Sequence, residues 1–219
     1  MDASKRKKYL VLGILFMLPI TVYIFFASGV NHFAKLPVLT PNVQELTKFH
    51  PFTNDTLQIT NRITILGFFG SEVTQKKANA FNLAHKIYKK NYRFNDFQFV
   101  FLVTDDQKPA VTALLDELKQ IANPERFQFA YGSPSAIQEV FDSLKTQQSL
   151  DSGFATNQVF IIDKERNLRG RNDDEDVGTL YGFDASDYAE INNKMGDDVQ
   201  VILAEYRLEL KKYKADRKI

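Results

Sequence analysis

The chain has 219 residues, enough for one domain of ordinary size plus an appendage. Lys+Arg 28 against Asp+Glu 27 leaves no global positive field, so no nucleic-acid partner is expected. Cys 0 excludes disulfides, thiolate catalysis, thiolate-bound zinc or copper and lipidation on cysteine, while leaving the compartment open; Phe 19 with Trp 0 fits a phenylalanine-rich core better than an exposed stacking platform.

Residues 1–8 form a basic N-terminus, with Lys5, Arg6, Lys7 and Lys8 ahead of the uncharged stretch 9–30, YLVLGILFMLPITVYIFFASGV. At about 1.5 Å per residue that stretch reaches roughly 33 Å as a helix, enough to cross the hydrocarbon core of a bilayer. Pro19 is tolerated in a membrane helix. With the positive cluster wholly on its N-terminal side, the expectation is a single-pass transmembrane anchor with the N-terminus cytoplasmic and the rest outside. A cleaved signal peptide is the competing reading. It would need a shorter apolar core and a small-x-small cleavage site, for which Phe26-Ala27-Ser28-Gly29 is a weak candidate. Residues 31–47, punctuated by Pro37 and Pro41, read as an extended spacer, and 48–219 as the domain.

Phe49 to Thr60 suggests a hairpin turning at Asn54-Asp55, with Leu57 and Ile59 alternating on one face. Arg62 to Thr104 then reads as a βαβ unit. Its strands are the apolar runs around Ile63, Ile65, Phe68 and Phe69 and around Phe97 to Val103, dense enough to be covered on both faces. Between them Ala80, Phe81, Ala84, Ile87 and Tyr88 make one helical stripe. A right-handed crossover between parallel strands follows. Pro109 suits the first turn of a helix whose apolar face is Val111, Leu114, Leu115, Leu118 and Ile121. Phe127 to Tyr131 is a short strand, and Ser133-Pro134 caps and opens a helix carrying Ile137, Val140, Phe141 and Leu144.

Thr146 to Asn157 reads as a loop, and Val159–Asp163 with Leu168–Arg171 as a β-hairpin. Asp173 to Tyr188 is acidic and glycine-containing, expected to be irregular. A last helix is expected over Asp197 to Lys214, with Val199, Ile202, Leu203, Tyr206, Leu210 and Tyr213 as its stripe, and with acids in its first turn and Lys211, Lys212 and Lys214 in its last. The fold class is therefore α/β: a thioredoxin-like central mixed sheet flanked by helices, with an N-terminal transmembrane helix and an extra C-terminal helix.

Candidate chemistry is sparse. His32, His50 and His85 show no short metal-site spacing, and packed or solvated structural histidines are the better reading. Met1, Met17 and Met195 make no thioether cluster. Asp173-Asp174-Glu175-Asp176 could hold a hard cation or meet a basic partner, but it lacks the alternating spacing of a calcium loop, so a solvated acidic loop is favoured. The basic tail Lys211 to Lys218 could touch anionic lipid, although helix-end complementarity already accounts for much of it. Ser71, Glu72 and Thr74 follow the first core strand without a histidine near them in sequence, and a helix cap is their default role.

Several blocks resemble the SCO/SenC family, membrane-tethered thioredoxin-like proteins associated with cytochrome oxidase assembly. They are the anchor, Leu36-Pro37, Ile65-Leu66-Gly67-Phe68-Phe69-Gly70-Ser71, Val159–Asp163 with its turn, Arg169 to Gly182, and Lys194 to Tyr206, the last two similar to a divergent bacterial branch. The resemblance implies a bacterial inner-membrane location with the domain in the periplasm. It also implies a copper site made by a Cys-x-x-x-Cys pair and a distant His, soft ligands that suit copper. Here the pair falls on Val73 and Lys77 and the His at about Ala155, so all three ligands are absent. Asn157 stands roughly where thioredoxins place a proline before a strand. No cofactor or catalytic residue is therefore expected. The expected function is an interaction or assembly factor with a membrane or envelope protein partner, such as a respiratory complex, using Glu72, Val73, Lys77 and Asp173, Asp174, Glu175 and Asp176 as contacts. A copper chaperone with non-cysteine ligands, and an enzyme with a cysteine-free site joining Glu72, His85 or Asp105, are the alternatives.

Overall fold

The structure, a computed structural model, describes residues 3–28, 35–52, 57–121 and 123–216. The expected Asn54-Asp55 turn, His32 and Met1 lie outside the described residues, as do the side chains of Lys211, Lys212, Tyr213 and Lys214. The chain divides into two units at residues 34/35. The first contains helix α1 (Ala3–Ser28), in which Arg6–Phe25 is apolar enough, at a mean hydropathy of 2.0, to cross a membrane. Pro19 lies inside it.

The second unit begins with β1 (Val38–Thr40) and β2 (His50–Pro51). Then come β3 (Ile63–Gly70) and α2 (Lys77–Leu83). That helix runs through a π-helical stretch, Ala84–Tyr88, into α3 (Lys89–Asn91). Next are β4 (Phe97–Thr104), α4 (Lys108–Leu118), β5 (Phe127–Gly132) and α5 (Pro134–Ser143). The C-terminal part holds β6 (Gln158–Ile162), β7 (Leu168–Arg169), β8 (Arg171–Asp174), β9 (Gly178–Leu180) and β10 (Phe183–Asp184). It closes with α6 (Tyr188–Glu190), a second π-helical stretch, Ile191–Met195, and α7 (Gly196–Asp216).

The main sheet runs β1-β7-β6-β3-β4-β5-β2, with β10 also paired to β6. Strands β3, β4 and β5 are parallel neighbours, while β6 lies antiparallel to β3 with Ile65 opposite Ile161. The alternating pleat sends successive side chains to two cores. Ile63, Ile65, Phe69, Phe99, Phe101 and Phe129 face α2, α4 and α7. Leu66, Phe68, Val100, Leu102, Phe160 and Ile162 face α5 and the segment around Val43 to Ile59. The phenylalanine bias is explained here: Phe99 and Phe127 stack across neighbouring strands at 4.6 Å, and Phe68 meets Phe141 edge-on at 5.1 Å. Gly67 makes room for this packing, since a Cβ there would lie 2.6 Å from the Phe101 ring.

One buried cation ties three segments together. Arg169 Nε donates to Leu36 O (2.7 Å), Nη1 to Asp163 (3.0 Å) and Nη2 to Glu205 (2.7 Å). Burial opposes its charge, yet the hydrogen bonds to Asp163 and Glu205 more than compensate and raise its pKa.

Three expectations need correction. Residues 57–59 are not a strand, so the expected hairpin does not form; His50–Pro51 instead pairs with the edge of β5. The Glu45 carboxylate accepts from the Ile59 and Thr60 N–H groups and the Thr60 hydroxyl, which supplies partners that a strand would have supplied. Asp173 to Tyr188 is ordered: β8 and β9 pair around Asp174-Glu175-Asp176-Val177, and Asp174 accepts from the Asp176 and Val177 N–H groups. Finally, the expected last helix is present as α7, Gly196–Asp216, but α6 and the π-helical stretch lead into it without a break from Tyr188, where Asp187 caps the start by accepting from the Ala189 and Glu190 N–H groups.

Candidate functional site

In a parallel β-α-β unit the loop beyond the first strand is positioned by the strand end and the helix that follows. Here β3 ends at Gly70 with φ +48, and a Cβ at that position would lie 1.9 Å from the Gly153 carbonyl oxygen, so only glycine fits. The close approach brings two loops together. Ser71 N donates to Gly153 O (2.9 Å) and Thr156 N to Phe68 O (3.0 Å). Asp151 shapes the second loop by accepting from Gly153 N and Ala155 N, each at 2.9 Å.

The three positions that the resemblance assigns to copper ligands belong to these loops and the start of α2, and each has another use. Val73 and Ala155 are buried, so Val73 offers no surface to a partner and that expectation is corrected. Lys77 is turned to Glu117 of α4, with Nζ 2.5 Å from its carboxylate. Glu72 is half-buried, its side chain against Gly153, where a Cβ would lie 2.8 Å from Oε1.

Two residues that sequence reasoning missed fill the space between the loops. Lys76 Nζ donates to Asn157 Oδ1 (2.9 Å), and Asn79 Nδ2 donates to the same oxygen (3.0 Å). Lys76 Nζ also lies 3.8 Å from Glu72 Oε2 with its side chain only 13% exposed, and Asn79 is buried. The result is a polar chain, Glu72–Lys76–Asn157–Asn79, across the junction of the two loops. The available signal was the spacing of Lys76 and Asn79, three apart at the start of a helix and so on one face, together with an amide where a proline was expected.

Other candidates do not converge on it. His50 and His85 are exposed. The Ser71 hydroxyl is directed to Gly153 O rather than to a base. Among the described residues there is no group of three His, Asp or Glu placed to hold a metal ion. Of the acidic stretch, Asp174 is buried and its carboxylate accepts from Lys194 Nζ with both oxygens at 2.9 Å, so it is spent internally and is no partner contact. The hydrogen bond from Lys194 holds its pKa below the ordinary value. Asp173, Glu175 and Asp176 stay exposed, Asp176 lying 2.6 Å from Lys194.

The parallel β3-α2-β4 crossover, the antiparallel pair β6-β7 and the closing helix α7 stand in the spatial order β4-β3-β6-β7. The domain is thioredoxin-like. No protein-family model matches the sequence, and no curated protein does. Solved structures do. An Aquifex aeolicus protein named for electron transfer is 12% identical at a TM-score of 0.50, covering 75% of this chain and 92% of that one. The soluble domain of Sco1 from Bacillus subtilis is also 12% identical (TM-score 0.48, covering 74% and 92%). Copper-bound ScoI of Arabidopsis thaliana is 15% identical (TM-score 0.44, covering 69% and 94%). At such identities the likeness is one of fold. Sco proteins are thus among the structural neighbours of this cysteine-free thioredoxin-like domain.

Proposed function

We propose that this chain is a divergent SCO-type protein, tethered by α1 to the bacterial inner membrane with its domain in the periplasm. It acts as an interaction or assembly factor without copper or redox chemistry of its own. The observation that carries the reading is the fate of the family's ligand positions: Val73 and Ala155 are packed inside, Lys77 pairs with Glu117, and Lys76, Asn79 and Asn157 bridge the loops between them. A junction cross-linked in this way holds the partly exposed Glu72 and Lys77 in a fixed arrangement, which suits recognition of a polar protein surface. Its contact residues are Glu72 and Lys77, with Asp173, Glu175 and Asp176 as a second, acidic patch. Respiratory oxidase biogenesis is the process that the resemblance to the SCO/SenC family supplies.

The test is mild-detergent affinity purification of the full-length protein from its native membrane, with mass spectrometry and metal analysis of the same sample. A stoichiometric envelope protein without copper, recovered at least tenfold less with Lys77→Glu, is the expected result. About one copper per chain would overturn the proposal in favour of metal handling through non-cysteine ligands.

A further inference from the structure

At the opposite end of the strands from the two loops, where β3 and β4 begin, lies a pocket of about 390 Å³. Its floor is apolar, from Ile63, Phe97, Leu203 and Tyr206, and its rim carries Arg93 and Arg207. Lys164, also lining it, is the cation of an ion pair with Asp96 at 2.6 Å. Two further guanidiniums grip the loop that forms one wall: Arg62 donates to Asn95 O (2.9 Å), and Arg126 donates to Phe94 O (2.6 Å) and to Asn95 Oδ1 (3.2 Å). These acceptors are neutral, so neither charge is cancelled there. Arg93 donates to the Tyr92 hydroxyl, and neither Arg93 nor Arg207 has an ion-pair partner among the described residues. On a protein of net charge +1, this end therefore gathers a local cationic excess around an apolar hollow.

An anion with apolar surface attached is the complementary ligand, and the chain itself indicates which kind. Its N-terminal helix is long and apolar enough to cross a bilayer. The segment that continues from that helix into the domain is fastened to the helix that lines the pocket: Lys35 lies 3.6 Å from Glu205, and Arg169 joins Leu36 O to Glu205. We propose that this pocket is a docking surface for anionic phospholipid headgroups, with Arg93 and Arg207 on the phosphates and the apolar floor against the upper acyl chains. The domain then rests on the membrane by this end and leaves the opposite, two-loop end free. Charge complementarity at a bilayer surface is worth about a fivefold gain per basic residue, so the two rim arginines supply roughly 25-fold.

Cys 0 makes the test direct. The full-length chain, carrying a spin label at Ala204→Cys on α7 or at Gln75→Cys beside the two loops, is reconstituted into nanodiscs of phosphatidylcholine alone or with 30% phosphatidylglycerol, and insertion is verified separately by flotation. Accessibility of the label to oxygen relative to a water-soluble nickel complex reports lipid contact. The expected result is lipid contact at 204 but not at 75, in anionic discs only, with the docked-to-free ratio reduced roughly 25-fold by Arg93→Gln/Arg207→Gln and also reduced by salt. Equal contact in neutral discs, or no change in the double variant, overturns the proposal. Calorimetric binding of inorganic phosphate that the double variant abolishes, with no lipid contact at 204, assigns the pocket to a soluble anion and likewise overturns it.

Discussion

Replacing Arg169 by Met removes the one charge that Asp163 and Glu205 share, in a place where neither can readily turn to water. The side chains of Arg169, Asp163 and Glu205 are 6%, 1% and 10% exposed. Asp163 retains the N–H groups of Glu165 and Asn167 and the Asn167 amide, whereas Glu205 keeps an ion pair with exposed Lys35 at 3.6 Å. The larger part of the loss therefore falls on Glu205 and on the orphaned Leu36 carbonyl. Breaking a buried pair from one side costs about 3–5 kcal/mol. For a chain of this size that corresponds to a Tm lower by about 6–20 °C. With Trp 0, urea unfolding of the full-length protein in detergent is followed by tyrosine fluorescence. Adding Glu205→Gln to Arg169→Met should recover about 1–2 kcal/mol, since it removes the uncompensated charge while keeping its shape. A loss below about 1 kcal/mol for Arg169→Met, or no recovery in the double variant, would refute the idea that this cation holds the segment around Leu36, the β6–β7 turn and α7 together.

Two further outcomes concern single groups. Burial pushes the Glu45 pKa up, but the Thr60 hydroxyl and the Ile59, Leu46 and Thr60 N–H groups outweigh it and hold the carboxyl below its ordinary value. A depressed folded-state pKa stabilises above the unfolded value and is lost as pH falls through the folded one. Glu45→Gln should therefore cost about 1 kcal/mol at pH 7, discounted for the partial exposure of the group, and progressively less as pH falls through the folded-state value; a difference in urea midpoints that stays constant as the pH is lowered would refute it. The Tyr131 hydroxyl is buried with no hydrogen-bond partner among the described residues, and burial pushes its pKa up. Tyr131→Phe should leave stability unchanged or raise it by up to about 1–2 kcal/mol in the same urea assay, and a comparable loss would show that the hydroxyl has a partner.

The parts of the fold that could be read from sequence are those whose signals are local. Apolar runs at Ile63–Phe69 and Phe97–Val103 gave the parallel pair, and Ser133-Pro134 gave a helix start in which Ser133 does cap Ala136 N. The parts that could not be read depend on distant partners. Glu45 reaches across to Ile59 and Thr60 and replaces a strand pairing, and Lys194 holds the β8–β9 turn from twenty residues further on. That the copper-ligand positions of the SCO/SenC resemblance fall on Val73, Lys77 and Ala155 was visible in the sequence. The side chains that took their space were not, because Asn157 lies 81 residues from Lys76 and 78 from Asn79.

The two π-helical stretches, Ala84–Tyr88 and Ile191–Met195, lie in one core layer through Ile87, Ile191 and Met195. Each loop of hydrogen bonds there spans one residue more than an α-turn. A homologue one residue shorter at either place would run a plain α-helix and keep the same ends. Length differences between descendants of this chain would then fall in the middle of helices, where gaps are seldom allowed. Alignments that push the gap into a neighbouring loop would shift every helical residue by 100° and pair core positions with surface ones.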